Sequence, residues 1–350
     1  YFNNAGNQTL TFVGTNDLSF GSGTAVLANS SKTISSTTGV LSIGSIDVIG
    51  TNSGTYSLTK SGAGTLAITG AAGAGFSGGV SVTTGGILQV GHNNALGTGT
   101  LTVAASTLQA INSDRVLPNA VSVSTGGGIT FSGSQSLTLN GLITFTAING
   151  PINNIAAGKL LTFQGGINIY SGTNSSPSAI DLQGSGDTLV SGNIFQSGTS
   201  GNRNVQVSNN GGVTTFSGSN SYLGTTTASV GVLKLDSAYA LPGGQLTISS
   251  GGIVGLGTGN SSFTRAKGLG NGTVAWNGGG FAAYGADATV DFGGVGASGT
   301  VTVPDATLWS AASADKTVVF VNNFNFSTQP KTLTVNNGSA DVDARFTASV

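Results

Sequence analysis

Short alternations of apolar and polar residues recur along the whole chain, and one of them keeps nearly the same residues each time. Leu-Thr-apolar occurs at Leu10-Thr11-Phe12, Leu101-Thr102-Val103, Leu137-Thr138-Leu139, Leu161-Thr162-Phe163, Leu246-Thr247-Ile248 and Leu333-Thr334-Val335. Leu66-Ala67-Ile68 differs only at its middle residue. A period of two predicts a β-strand, with the flanking side chains on one face and the middle one on the other. The pattern thus places the apolar pair in a core and the central Thr or Ala outside. Val121-Ser122-Val123, Ile167-Asn168-Ile169 and Val301-Thr302-Val303 read the same way. A strand this short cannot bury its apolar face alone, so many copies must stack. Glycine clusters at 126–128, 251–252 and 278–280 mark turns between the strands.

A longer repeat supports stacking. Residues 86–97, Gly-Ile-Leu-Gln-Val-Gly-His-Asn-Asn-Ala-Leu-Gly, match residues 231–242, Gly-Val-Leu-Lys-Leu-Asp-Ser-Ala-Tyr-Ala-Leu-Pro, at an offset of 145. The register holds through Gly99/Gly244, Leu101/Leu246 and Val103/Ile248. Upstream, Phe76-Ser77-Gly78 aligns with Tyr222-Leu223-Gly224 after a slip of one residue. Other strands are unevenly spaced, which predicts coils of unequal length with the extra residues in surface loops. No stretch reads as a linker, so the expectation is one continuous all-β solenoid, a single-stranded parallel β-helix over residues 1–350. Coils of about 20–25 residues would give roughly 15 coils and a rod on the order of 70 Å.

Composition agrees. Of 350 residues 59 are Gly, and Glu, Met and Cys are absent, which removes good helix formers and leaves turn and strand residues. Charged residues are 7% of the chain while apolar ones are 38%, a balance that argues against disorder. A net charge of −1, with no basic run, gives no footprint for nucleic acid or an anionic membrane. No apolar stretch approaches the roughly 20 residues of a membrane span. The absence of cysteine fits export in bacteria. The chain starts at Tyr1 without a signal-like segment and reads as a processed or excised piece of a longer precursor.

Four elements in order carry a family resemblance. They are Leu58-Thr59-Lys60-Ser61-Gly62-Ala63-Gly64-Thr65-Leu66, then Phe76-Ser77-Gly78-Gly79-Val80, then Gly86-Ile87-Leu88-Gln89-Val90, then Ala95-Leu96-Gly97. This run resembles the strand repeat of bacterial autotransporter passenger domains. The second copy, from Val205 to Ile248, keeps the last three elements and lacks the opening. Residues 279–285 and 332–344 resemble further parts of long, repeat-rich surface proteins of this type. The resemblance implies a right-handed parallel β-helix displayed on, or shed from, the bacterial surface. It implies no particular activity, and the translocating barrel of such proteins is missing from this sequence.

Candidate chemistry is sparse. Gly75-Phe76-Ser77-Gly78-Gly79 fits a G-x-S-x-G nucleophile elbow, which needs a strand-to-helix turn and a His base. The one histidine is His92, and the aligned copy has Leu223 for Ser77 and Ser237 for His92, so polar turn residues explain both. Gly184-Ser185-Gly186-Asp187-Thr188-Leu189 is half of a calcium nonapeptide, without the consecutive copies that a calcium roll requires. Asp341 and Asp343 share one face if they lie on a strand, and Asp287 with Asp291 is a second carboxylate pair of the kind glycosidases use. A solvated face beside Arg345 is the simpler account of Asp341 and Asp343. Trp276, Trp309 and Tyr284, with Phe324 and Phe326, form either an internal aromatic ladder or an exposed sugar-binding platform. Seven Asn-x-Ser/Thr triplets begin at Asn7, Asn29, Asn174, Asn260, Asn271, Asn325 and Asn337, as composition alone would produce.

These readings assign no catalytic, cofactor or metal residue. They predict a structural extracellular solenoid, a segment of a surface fibre or adhesin that stacks head to tail. The alternatives are a glycan-binding adhesin and a β-helix polysaccharide lyase or glycosidase.

Overall fold

The computed structural model describes residues 6–49, 55–83, 85–124, 127–146, 150–170, 179–198, 201–327 and 329–349. Two compact units divide the chain, Tyr1–Tyr170 and Ser171–Val350.

In the first unit each turn lays one strand on the strand of the turn before, always in parallel. One face runs through Gln8–Phe12, Lys32–Ser36, Leu58–Ser61, Val80–Val82, Leu101–Val103, Val121–Val123, Ile143–Phe145 and Ile167–Tyr170. A second face runs through Leu18–Ser19, Val40–Ile43, Thr65–Ile68, Ile87–Val90, Ser106–Ala110, Ile129–Gly133 and Ile152–Ile155. Partners on the first face lie 20 to 26 residues apart, for example Thr102↔Ser122 and Ile34↔Lys60.

The second unit repeats the plan with Ala179–Gly184 and then with longer, bulged strands, Asn204–Phe216, Thr226–Leu235 and Leu246–Leu256. Val274–Trp276 and Gly280–Ala283 both pair with the last of these. Ala306–Trp309 and Thr332–Val335 follow in the same sheet. Another sheet stacks Ser262–Phe263, Ala288–Val290, Val318–Phe320 and Ala344–Phe346. Helix is confined to three-residue 3-10 turns among the described residues. The chain is an all-β parallel solenoid.

Inside and outside follow the alternation. Leu101, Val103, Leu137, Leu139, Leu161, Phe163, Leu246 and Ile248 are each at most 2% exposed, and the Thr between each pair is half-buried on the outer face. Three copies depart from expectation. Leu10 and Leu333 are 40% and 45% exposed, because each lies in an outermost described strand with a neighbour on one side only. Ala67 is buried although its parity points outward; Ser42 and Gln89 flank it in register, and a methyl group between longer side chains does not reach water.

The turns need glycine where successive backbones touch. A Cβ on Gly244 would stand 2.1 Å from the Gly224 carbonyl oxygen, and one on Gly224 would stand 2.3 Å from that of Arg203. One turn nests against the next only without side chains there.

Lys60 breaks the apolar lining. It shares its inward position with Ile34 and Val82, is 0% exposed, and donates to the carbonyls of Ser61 and Gly62 at 2.7 Å each. Burial lowers its pKa from 10.5 to about 8. The unfolded chain therefore holds this proton over a range in which the folded chain has lost it, and stability rises as pH climbs from about 8 towards 10.5. Denaturation midpoints followed across this range should show a gain on the order of 2 kcal/mol that is absent from Lys60→Met. Identical pH profiles for the two proteins would contradict an interior, deprotonating amine.

Candidate functional site

The polar candidate side chains sit at or beside turns, so the geometry of the turns decides what they can do. Ser77 is exposed in the turn between buried Phe76 and the strand Val80–Val82. A strand follows it rather than a helix, so the backbone of a nucleophile elbow is not formed. Its counterpart turn buries Tyr222 in place of Phe76 and exposes Leu223 in place of Ser77. The buried ring is what the repeat preserves.

His92 is half-buried, and its Nδ1 accepts the Asn94 N–H at 3.0 Å while its carbonyl accepts the Ala95 N–H at 3.1 Å. In the second copy the Ser237 hydroxyl accepts the Tyr239 N–H at 3.2 Å, and its carbonyl accepts the Ala240 N–H at 3.0 Å. Imidazole and hydroxyl thus do one job, holding the turn that carries Ala95-Leu96 or Ala240-Leu241.

The aspartates do a related job between turns. Asp17 accepts the Val40 N–H at 2.8 Å, Asp114 that of Ser136 at 2.8 Å, Asp187 that of Val213 at 2.8 Å, and Asp287 that of Thr317 at 3.0 Å. Each stands at, or immediately before, the start of a strand; Asp17, Asp114 and Asp287 reach the start of the strand one turn away, and Asp187 reaches into the later part of Asn204–Phe216. A carboxylate one methylene from the backbone has the reach for that, and the uniform choice of Asp over Glu fits it. At Asp114 the bond from the Ser136 N–H, helped by Lys159 at 3.0 Å, holds the carboxyl below its usual range. Sequence reading missed this device, although the signal of Asp just ahead of an apolar alternation was present.

The paired carboxylates do not pair. Asp287 and Asp291 bracket the strand Ala288–Val290, so about 13 Å of extended chain separates them. Asp291 turns back to accept the N–H groups of Val295 and Gly296 at 3.1 and 2.9 Å and the Asn322 side-chain amide at 3.1 Å. Asp341 and Asp343 lie in the bend before Ala344–Phe346 rather than on one strand face. Asp343 accepts from Gly338 N–H at 2.9 Å and Ser310 hydroxyl at 3.3 Å, whereas Asp341 is exposed.

One cleft in the second unit does gather charge. It holds about 370 Å³ and is lined by Asp287, Asp315, Asp341, Lys316 and Arg345. That volume falls at the small end of ligand sites, which are mostly apolar, whereas this lining is polar. Asp287 and Asp315 each spend an oxygen on backbone N–H groups, of Thr317 at 3.0 Å and Gly285 at 2.7 Å. Among the described residues no group of three or more His, Cys, Asp or Glu converges as a metal site would require.

The aromatic residues settle on the internal alternative. Trp276, Trp309 and Tyr284 are 3%, 1% and 8% exposed, so their faces are not open to a sugar. Trp276 stacks on Phe292 with centroids 5.3 Å apart, and Trp309 meets Phe320 edge-on at 4.7 Å and Phe346 at 4.9 Å. Tyr284 bonds Ser313 at 2.8 Å, and burial pushes its hydroxyl up to about 12. Phe324 joins this cluster, while Phe326 lies beyond the end of the strand Asn323–Asn325 and is half-buried. Of the Asn-x-Ser/Thr positions, Asn7, Asn29, Asn271, Asn325 and Asn337 are exposed, Asn260 is half-buried, and Asn174 falls outside the described residues.

Comparison of the chain with family models, curated proteins and solved structures finds no match.

Proposed function

We propose that this chain is a structural, extracellular β-solenoid, a segment of a bacterial surface fibre or adhesin. One observation carries the reading: the histidine and most of the aspartates that looked like chemistry are engaged in backbone hydrogen bonds at the turns and between them. His92, Asp187, Asp287, Asp291 and Asp343 all accept backbone N–H groups. Such residues stiffen a rod, and a rod displays or spaces what it carries.

Self-association is part of the proposal. The outermost described turns of the two units expose apolar side chains, Leu10, Leu18 and Phe20 in the first and Leu333, Val335 and Val342 in the second. An apolar cavity of about 300 Å³ opens beside Leu10 and Phe20, floored by Ile34, Leu41 and Ile43. Contact of one end type with the other is heterologous and does not close, so it grows filaments. A second reading, hydrolysis or elimination on an acidic polysaccharide, has the Asp287–Asp341–Arg345 cleft in its favour.

Electron microscopy and light scattering of the purified chain test assembly, and sugar-release assays test the second reading. Filaments, with assembly unchanged in Ser77→Ala, His92→Ala and Asp341→Ala, are expected. A stable monomer at high concentration sinks the fibre reading. Polysaccharide cleavage that disappears in Asp341→Ala establishes the second.

A further inference from the structure

The first unit carries a file of hydroxyl groups that neither its core nor its turns use. On the face that begins with Gln8–Phe12, the outward residues directly across from one another are Thr9, Thr33, Thr59, Ser81, Thr102, Ser122 and Thr144. That is one hydroxyl per turn over seven consecutive turns, and no register shift interrupts these pairings. Between Thr33 and Thr144, the six hydroxyls make no hydrogen bond to any protein group among the described residues. Their donors and acceptors are left for solvent.

Two residues further along each turn runs a second file. It comprises Thr11, Ser35, Ser61, Thr83, Ser124 and Thr146, with Ala104 as its one gap. Here the hydroxyls of Thr83, Ser124 and Thr146 donate to the carbonyls of Lys60, Val103 and Val123 in the preceding turn, at 3.4, 3.3 and 2.9 Å. Each is thereby fixed with its lone pairs free. No charged side chain interrupts either file; Lys32 and Lys60, on the same strands, are buried on the inner face.

The spacing is set by the backbone. Strands of successive turns lie about 4.8 Å apart, and alternate residues along a strand about 6.6 Å apart. This makes a near-rectangular net of small hydroxyl and methyl groups, repeated along the unit. Both repeats lie near oxygen–oxygen repeats of the hexagonal ice lattice. Charged side chains would impose their own hydration, and long flexible ones would lose entropy on contact. Thr is β-branched with a restricted χ1, so most of this net is ordered before any ligand arrives. A periodic ligand gains from each added turn, whereas a single small molecule would meet only one or two.

We propose that this face binds ice, the solid form of water, through the two hydroxyl files. The inference is independent of the export route and of any filament.

Ice-growth measurements on the 350-residue chain test it. The readouts are thermal hysteresis and partition of fluorescently labelled protein into a slowly grown ice hemisphere. The parent chain should be taken into ice and should shape crystals. Thr102→Lys and Thr102→Tyr, placed mid-file, should each lose most of that activity while circular dichroism and melting show an intact solenoid. Thr247→Lys, an outward position in the second unit and outside both files, should retain it. Exclusion of the parent from ice, or equal activity in a folded Thr102 variant, overturns the proposal.

Discussion

Trp309→Ala is expected to cost about 3–5 kcal/mol, enough to unfold much of the second unit at moderate denaturant. The indole is 1% exposed and touches Trp276, Phe320, Phe324 and Phe346 from four sides, at centroid distances of 5.8, 4.7, 6.0 and 4.9 Å. Rings held edge to face cannot slide into the space without losing their own contacts, so the cavity stays open and its cost adds to the lost transfer energy. Trp309→Phe should cost less than half as much. It keeps an aromatic edge for Phe320 and removes an indole N–H that has no protein acceptor. Urea titrations of the three proteins, read by circular dichroism, rank them. Equal losses for Ala and Phe would show that the cluster is more compliant than its geometry indicates.

Gly231→Ala is the second large effect, expected at about 3–5 kcal/mol. Gly231 adopts φ +74°, which a side chain disfavours, and a Cβ there would lie 1.7 Å from the Asn209 carbonyl oxygen. Relief requires parting the strands Asn204–Phe216 and Thr226–Leu235, which pair over eight residues. Its repeat counterpart supplies the control. A Cβ on Gly86 would stand 2.8 Å from both the Gly62 carbonyl and the Lys60 ammonium, a far less severe overlap without a left-handed φ, so Gly86→Ala should be milder. The comparison is again by denaturation midpoint, and a Gly86 variant as damaged as the Gly231 variant would refute it.

The sequence was most legible where physics is local. Alternation alone assigns Thr102, Thr138, Thr162 and Thr247 to the outer face and their neighbours to the core, because a strand has only two sides. It does not say how many neighbours a strand has, which is why Leu10 and Leu333 read as core and are exposed. Nor does it say what surrounds a small side chain, and Ala67 shows the result. The carboxylate pairs failed for a similar reason. Proximity of Asp287 to Asp291 in number means separation in space when a strand runs between them, while Asp287 and Thr317, 30 positions apart, touch. In a solenoid the neighbour that matters is one turn away. The internal repeat did carry such information: His92 aligned with Ser237 points to a polar turn residue, and both side chains accept a backbone N–H in that turn. No comparable repeat spans the 287–345 cleft, and its assembly from Asp315, Lys316 and Arg345 was not legible.

Among the described residues of each unit, strands pair with the strands one turn before and one turn after them. Under tension applied along the polypeptide, such a chain has no long-range clasp that must break before all else. Turns should peel singly, each freeing 20 to 30 residues, as the partners Thr226↔Leu246 and Ala288↔Val318 delimit. At about 3.4 Å per residue that is roughly 70–100 Å of slack per event. A pulled molecule would yield in many small steps and lengthen several-fold before it let go, dissipating load as a shock absorber does.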